Sequence, residues 1–185
     1  MSKVQTGKLP VMALSFRYKK KGAFSDCFFI DVSRKVSLEE YIVAFYTTPL
    51  FKIERSILSV FALKASTDQN AKQLSLGHTR KYSAWTVEER SPNQILLCDF
   101  SNRTRSWLMV QNLEDSHPTT TRLYFGSIVM PKARSKTATP SFGILFHMFG
   151  KFHNLYSRAL LKAAYKKLHK TSDTECQRIR LSRQS

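Results

Sequence analysis

The longest regular pattern in the chain runs from Phe142 to Lys170. Apolar residues recur there every three or four positions, which is typical of one face of an amphipathic helix. The opposite face and the last turn are basic, and cations near a helix C-terminus oppose the negative end of its dipole. The apolar row consists of Leu145, Phe149, Phe152, Tyr156, Leu160, Ala163, Ala164 and Leu168. This pattern predicts one long C-terminal helix that needs a large apolar surface to pack on.

The period of the apolar positions changes to two from Lys81 onward. Such alternation indicates strands, and the polar segments between them indicate turns. Several of the strands are apolar on both sides, which predicts one face in a core or cavity and the other partly covered. Strands are predicted at Ala23–Val32, Tyr82–Glu89, Gln94–Phe100, Arg105–Asn112 and Thr121–Met130, with Val11–Phe16 as a candidate edge strand.

Helix starts between the first strand and the later ones are marked by capping signals. Ser37–Glu40 is a capping box, in which each end residue's side chain bonds the other's amide, and Ser66–Gln69 is a second candidate. Thr48 before Pro49 is typical of an N-cap followed by the first helical position. The predicted helices run from Ser37 to about Tyr46, from Pro49 to about Lys64, and from the second box to near Gly77.

The order of elements is a strand, short helices, an antiparallel meander and one long helix. Elements segregated in this way predict an α+β fold, with an antiparallel curved sheet gripping the long C-terminal helix and short helices inserted after the first strand. The pattern divides the chain into a basic arm at 1–22, a folded domain at 23–170 and a mobile polar tail at 171–185.

The formal charge of +17 is unevenly placed along the chain. Met1–Ser25 has six basic residues and no acid, Asp26–Asp115 is balanced, and Ser116–Ser172 has ten basic residues and no acid. Charge concentrated on the arm and the long helix favours a polyanionic neighbour, such as an anionic membrane surface or nucleic acid. A solubilising face explains it equally well.

The sequence lacks two kinds of feature: metal-binding or disulfide motifs, and membrane-spanning or signal segments. The cysteines, Cys27, Cys98 and Cys176, form no metal motif or disulfide framework, and no histidine pairs with another His or Cys at helical spacing. No apolar run is long enough to cross a bilayer, and the first 22 residues lack the features of a signal peptide. We therefore expect a cytoplasmic protein, with membrane-peripheral association left open, and we expect no metal or cofactor.

The order of elements resembles the START-like superfamily, also called SRPBCC or the helix-grip fold. The resemblance covers about 23–170 and rests on FSDCFFIDV, the helices after SLEE, the meander from YSAWTVEE to RLYFGSIVM, and the helix FHNLYSRALLKAAYKKL. Members of this superfamily enclose an apolar cavity between sheet and helix, where they bind lipids or other hydrophobic molecules, and some catalyse cyclisation or hydration. The resemblance therefore implies such a cavity here. It carries no catalytic signature.

Residues for the expected cavity come from the strands and the long helix. The period of two puts Arg105, Trp107 and Met109 on one face, so Arg105 holds a ligand's acidic group if that face points inward, or pairs with Asp99 at the surface if it does not. His153 and Tyr156 share one side of the helix. The predicted ligand-binding residues are Trp85, Arg105, Trp107, Tyr124, Phe149, Phe152, His153 and Tyr156.

Three functions remain in competition at this point. The first is non-catalytic binding or transport of a hydrophobic small molecule or lipid, with an anionic membrane as a candidate partner. The second is a cavity enzyme of cyclase or hydratase type, for which Asp99 and His153 are the only acid or base candidates. The third, less favoured, is nucleic-acid binding, because no nucleic-acid motif accompanies the charge.

Overall fold

The computed structural model describes residues 2–19, 22–52, 66–113, 119–130 and 154–170. Three predicted regions lie outside these ranges: the first part of the long helix (142–153), the second helix beyond Lys52, and the tail 171–185. The chain is α+β, as predicted, with an antiparallel sheet and a C-terminal helix packed on it.

Eight antiparallel strands form one open sheet in the order β1-β3-β8-β7-β6-β5-β4, with β2 paired to β8. The first long strand, β3, thus lies beside the last, and the meander runs from there to the opposite edge. The strands are β1 Gln5–Thr6, β2 Phe24–Ser25, β3 Phe28–Val32, β4 Lys81–Tyr82, β5 Trp85–Ser91, β6 Gln94–Asp99, β7 Thr104–Leu113 and β8 Thr120–Val129.

Two strand predictions are corrected by this topology. The predicted strand Ala23–Val32 is divided into β2 and β3, because Asp26 leaves the ladder and its Oδ1 accepts a hydrogen bond from the Ser127 amide at 2.7 Å. Val11–Phe16 is a turn leading into a short helix, and the edge strand next to β3 is instead β1. Both differences from the prediction arise because strands pair with segments far away in the chain. The local alternation of apolar and polar residues does not specify that pairing.

Three helices start where their caps predict, one of them with a shift. The described helices are α1 Phe16–Lys19, which was not predicted, α2 Leu38–Tyr46, α3 (described at 49–52), α4 Asp68–Ser75 and α5 (described at 154–170). The Ser37–Glu40 capping box is formed, and the Thr48 hydroxyl accepts from the Phe51 amide at 3.2 Å. The box of α4 uses Thr67 and Asn70, one residue later than predicted. Gly77 follows this helix with a φ of +75°, as expected for a C-terminal glycine.

One face of the sheet is covered by the helices, and the cluster between them is called here the helix-side core. Helix α2 lies over β7 and β8, where the ring centres of Phe45 and Phe125 are 4.8 Å apart with their planes tilted by 46°, and the Tyr41 hydroxyl donates to the Tyr124 carbonyl at 3.1 Å. The described part of α5 adds its predicted apolar stripe. Leu160, Ala164 and Leu168 of that stripe are buried, Tyr156 and Ala163 are half-buried, and Leu161, outside the predicted stripe, is buried beside them.

The other face of the sheet, called here the second face, is covered by the N-terminal segment that follows β1, residues 9–19. Ala13 and Tyr18 of that segment are buried in a second apolar cluster with Trp107 and Met109 of β7. The Trp107 ring lies against Gly126, where an added Cβ would approach the ring to 3.0 Å and the Asp26 carbonyl oxygen to 2.8 Å. The sheet is therefore the middle of three layers, and residues 9–19 of the basic arm form the third.

Gln94 fastens this segment to the sheet. Its side-chain oxygen accepts from the Leu14 amide at 3.0 Å and from the Trp107 indole at 2.9 Å, and its amide group donates to the Met12 carbonyl at 3.1 Å. Gln94 is buried, so these bonds satisfy a polar group that water cannot reach. These three hydrogen bonds, called here the Gln94 clamp, give a polar residue of β6 a structural role on the second face.

Candidate functional site

The predicted site residues are divided between the two faces of the sheet. Trp85 and Tyr156 are half-buried against the helix-side core. Arg105, Trp107 and Tyr124 lie on the second face, behind the N-terminal segment. Phe149, Phe152 and His153 are outside the described residues. The period-two prediction that Arg105, Trp107 and Met109 share a face is confirmed, and that face is the one turned away from α5. The described candidates therefore do not converge on one place.

Arg105 is occupied by protein partners. It is 6% exposed, and its Nε donates to Glu88 at 3.1 Å. Its two terminal nitrogens donate to the backbone and side-chain oxygens of Asn102, and its guanidinium lies 4.6 Å from the centre of the Tyr18 ring. These contacts use the planar fork that would have held a ligand carboxylate or phosphate. The surface pair expected with Asp99 is replaced by a more buried pair with Glu88.

Glu88 is the acidic centre of this cluster. It accepts from the Tyr18 hydroxyl, from Arg105, and from Arg17 at 3.0 Å. Partial burial pulls the pKa of Glu88 upward, but the hydrogen bonds from Tyr18 and Arg105 outweigh it and hold this pKa below its ordinary value. Burial and the bond to Glu88 raise the pKa of Tyr18. The cluster ties α1 to β5 and β7.

We expect this cluster to make folding sensitive to acid. Because the folded-state pKa of Glu88 is lowered, its carboxylate stabilises the protein above the unfolded-state pKa, and this stabilisation is lost as the pH falls through the folded-state value. Urea unfolding of wild type and Glu88→Gln, compared at neutral pH and at about pH 3, should show a larger acid-induced loss for wild type. Equal losses in both proteins would contradict the assignment.

Asp99, one of the two acid or base candidates, builds the turn between β6 and β7. Its Oδ1 accepts from the amides of Arg103 and Thr104 at 2.9 and 3.2 Å, and its Oδ2 accepts from the Ser101 hydroxyl at 2.7 Å. Such bonds are typical of an aspartate that shapes a turn. Cys98 beside it has its pKa raised, chiefly by burial, so its thiol is not activated as a nucleophile.

Aromatic side chains fill the space over β7 and β8 on the helix side. Phe45 and Tyr46 of α2, Phe51 of α3, Tyr82 and Phe125 are all buried. Their ring centres lie between 4.8 and 6.2 Å from one another in successive pairs, within the range of favourable aromatic packing. These five residues are called the aromatic block below.

Among the described residues, the buried polar atoms without a hydrogen-bond partner include the Trp85 indole nitrogen, the Ser157 hydroxyl and His169 Nε2. Ser157 is fully buried on the face of α5 that also carries Leu160 and Leu161, and Trp85 packs at the start of β5 against the same core. Sequence reasoning selected Trp85 and missed Ser157. The available signal was a lone serine inside the apolar stripe of the predicted helix.

A surface recess with a volume of about 360 Å³ lies between the start of α2 and the turn joining β5 to β6. Its polar lining includes Lys35, Glu39, Asn93 and Asn112, and none of the predicted site residues lines it. The two charged residues of this lining, Lys35 and Glu39, are of opposite sign. The amides at the start of α2 already donate to the side chains of the capping box. The recess is therefore separate from the candidate site.

Within the described ranges, no three His, Cys, Asp or Glu side chains are grouped as metal ligands would be. Nor does any helix in that part of the chain have the length and apolarity needed to cross a membrane. Comparison with protein-family models, curated proteins and solved structures gives no match.

Proposed function

We propose that this protein adopts a helix-grip fold and binds a hydrophobic small molecule or lipid, without catalysis, on the helix-covered side of its sheet. The topology supports the first part, since β3 and β8 are neighbours, helices are inserted after β3, and α5 packs on the same side as α2. This is the arrangement that the START-like resemblance implies. Function does not follow from fold alone, so the site itself must carry the second part.

The observation that carries the proposal is the pair of unpaired buried polar atoms, at Trp85 and Ser157. Buried polar groups in folded proteins are nearly always hydrogen-bonded, and one left unpaired costs about 1–3 kcal/mol. Both atoms are set in apolar surroundings on the helix side. A ligand oxygen that accepts from the indole or bonds the hydroxyl would remove that cost when it binds.

The surroundings of these atoms define the ligand's chemistry. The aromatic block occupies the centre of the helix side, so the ligand lies at its margin, beside β5 or beside the start of α5. Walls of this kind favour a hydrocarbon body, whose burial contributes about 25 cal/mol per Å², with a few polar groups that set orientation. We therefore expect an apolar molecule with one or two oxygen atoms and no requirement for negative charge, because Arg105 faces the other way.

Trp85 offers a direct test. The chain has two tryptophans, so Trp107→Phe leaves Trp85 as the sole indole fluorophore. We expect titration of this variant with oleate or monoolein to change the Trp85 emission saturably. Ser157→Ala in the same background should weaken the apparent affinity by about threefold to tenfold, the value of one hydrogen bond.

Ser15→Ala is the matched control, because it removes another fully buried hydroxyl without a partner, in the N-terminal segment and away from α5. It should leave the affinity unchanged. The converse variant Trp85→Phe, which keeps Trp107, should show no saturable change in emission. Absence of saturation with both lipids, or equal effects of the two serine substitutions, would refute the proposal.

The two alternatives have no specific observation in their favour among the described residues. A cyclase or hydratase would need Asp99 or His153 as an acid or base. The Asp99 carboxylate accepts hydrogen bonds within the β6–β7 turn, and His153 lies outside the described residues. For nucleic acid, the argument remains the net charge, without an exposed aromatic platform in the described part of the chain.

A further inference from the structure

The outer side of α5 carries cations and no acids. Arg158, Lys162 and Lys166 are exposed there, each four residues from the next. Because four residues advance a helix by about 6 Å and turn it through slightly more than one turn, the three side chains form a row about 12 Å long. The segment 154–170 contains no Asp or Glu. One side of this helix is therefore apolar and buried, and the charge on the other side is positive only.

The first residues of the chain extend this positive surface. Arg158 donates to the Val4 carbonyl at 3.3 Å, and the Tyr165 hydroxyl donates to the Ser2 hydroxyl at 3.4 Å. Lys3, between these two contacts, is exposed. The surface called here the basic face consists of Lys3, Arg158, Lys162 and Lys166.

The lysines of the basic face have no acidic partner in the described part of the chain. Lys3, Lys162 and Lys166 take part in none of its ion pairs. The acids of α2, which contacts α5, and of β3, which pairs with β1, are bonded to arginines instead. These pairs are Glu39–Arg90, Glu40–Arg34 and Asp31–Arg122, at 3.3, 3.0 and 2.7 Å. The positive charge of this face is therefore available to a partner outside the chain.

The spacing of the cations on α5 has a cost when no partner is bound. Like charges four residues apart on a helix repel each other, whereas acid–base pairs at the same spacing stabilise it. Arg158 and Lys162 are one such like-charged pair, and Lys162 and Lys166 are another. A surface of mixed charge confers solubility without this repulsion. An anionic surface against the basic face would remove it.

An apolar residue lies among these cations. Leu155 is 69% exposed, and it lies on the same side of α5 as Lys162, because seven residues are close to two full helical turns. A leucine beside cations suits the boundary between lipid headgroups and acyl chains, whereas contact with nucleic-acid phosphates would leave it in water. This combination favours a bilayer as the anionic partner.

We propose that the basic face docks on an anionic lipid bilayer, with α5 lying along the headgroups and Leu155 reaching the interface. Electrostatic attraction and apolar burial act together at such surfaces. The choice of a bilayer also rests on the proposed function, since the expected ligand is an apolar molecule that partitions into membranes. Ser157, on the buried side of the same helix, would then lie about one helix diameter, roughly 10 Å, from the bilayer surface.

Vesicle co-sedimentation of the full chain measures the docking. We expect binding to vesicles of phosphatidylcholine mixed with phosphatidylserine, and binding weaker by about tenfold or more to phosphatidylcholine alone. Lys162→Gln/Lys166→Gln should lower the partition coefficient for the mixed vesicles about thirtyfold, because each cation near the surface contributes about fivefold. The same variant should bind with a weaker dependence on salt. Leu155→Ala should lower the partition coefficient about threefold or more.

Each variant has a matched control at the opposite edge of the sheet, where α4 and β4 lie. Lys72→Gln/Lys81→Gln removes two exposed lysines there, and Leu76→Ala shortens a leucine that is 48% exposed. Both controls should bind like wild type. Equal losses in test and control variants, or no binding to the mixed vesicles, would overturn the proposal. So would binding that depends on the lysines and not on Leu155 and that duplex DNA displaces, which would indicate a nucleic-acid surface.

Docking and ligand binding can fail separately, and the variants distinguish the two. Ser157→Ala should leave vesicle binding unchanged, because its hydroxyl is buried on the other side of α5. Lys162→Gln/Lys166→Gln should leave the Trp85 emission change with monoolein unchanged. A saturable emission change without vesicle binding would overturn the docking alone. Vesicle binding that shows the expected variant effects, without that emission change, would support the docking and refute the ligand site.

Discussion

Replacement of Trp107 by alanine is expected to lower the free energy of unfolding by about 3–5 kcal/mol. The indole is fully buried between the sheet and the N-terminal segment and donates to Gln94. Its removal leaves a cavity under that segment and takes one donor from the Gln94 clamp. Urea unfolding gives the free energy, and hydrogen exchange at the Leu14 amide, which the clamp protects, should become faster.

Trp107→Phe is the control, because it keeps a ring against Gly126 and leaves the Leu14 amide on Gln94. It should cost no more than about 1.5 kcal/mol, the value of the lost hydrogen bond. A loss below about 1 kcal/mol for the alanine variant would mean that the N-terminal segment does not form a packed third layer.

Phe45→Ala is expected to cost a similar amount, about 3–5 kcal/mol, through the helix-side core. Phe45 is 1% exposed and packs against the rings of Tyr41, Tyr46, Phe51 and Phe125. Leu155→Ala, at a side chain that is 69% exposed on α5, should change stability by less than about 0.5 kcal/mol in the same unfolding assay.

The two cores can also be tested together. Phe45→Leu and Trp107→Phe lie on opposite faces of the sheet, so their effects should add to within about 0.5 kcal/mol in the double variant. A coupling well above that value would contradict the division of the apolar residues into two separate clusters.

Local pattern was sufficient to predict much of the fold. The change from helical period to alternation located the meander, and the Ser37–Glu40 box and Thr48 before Pro49 located two helix starts. These signals act over a few residues and depend on backbone hydrogen bonding that is the same in most contexts. The apolar stripe of α5 likewise predicted the burial of Leu160, Ala164 and Leu168, but not that of Leu161 or Ser157.

The covering of the second face is less visible in the sequence. Strands that are apolar on both sides indicated that another segment lies over this face, and that segment is 9–19. Its attachment depends on Gln94 and Glu88, which meet residues about 70–80 positions away in the chain. A single buried glutamine or glutamate carries no periodic signal, so this link requires the tertiary structure.

The same limit applies to the candidate site. The alternation of apolar and polar residues correctly predicted that Arg105 and Trp107 share a face of the sheet. Which of the two faces this is depends on the segment that packs over it, and the alternation does not specify that segment. The position of Ser157 inside the apolar stripe was visible in the sequence, but its lack of a hydrogen-bond partner was not, since a serine in a helix is expected to bond the carbonyl one turn earlier or to face solvent. Only the burial of its neighbours and its lack of a partner distinguish it.

Native mass spectrometry of the purified full chain, with organic extraction of anything bound, tests the proposed ligand binding most directly. We expect a single hydrophobic molecule at close to one per chain, with reduced occupancy in Ser157→Ala and full occupancy in Ser15→Ala. A bare protein mass in every preparation, or nucleic acid that persists at high salt in place of a lipid, would contradict the account.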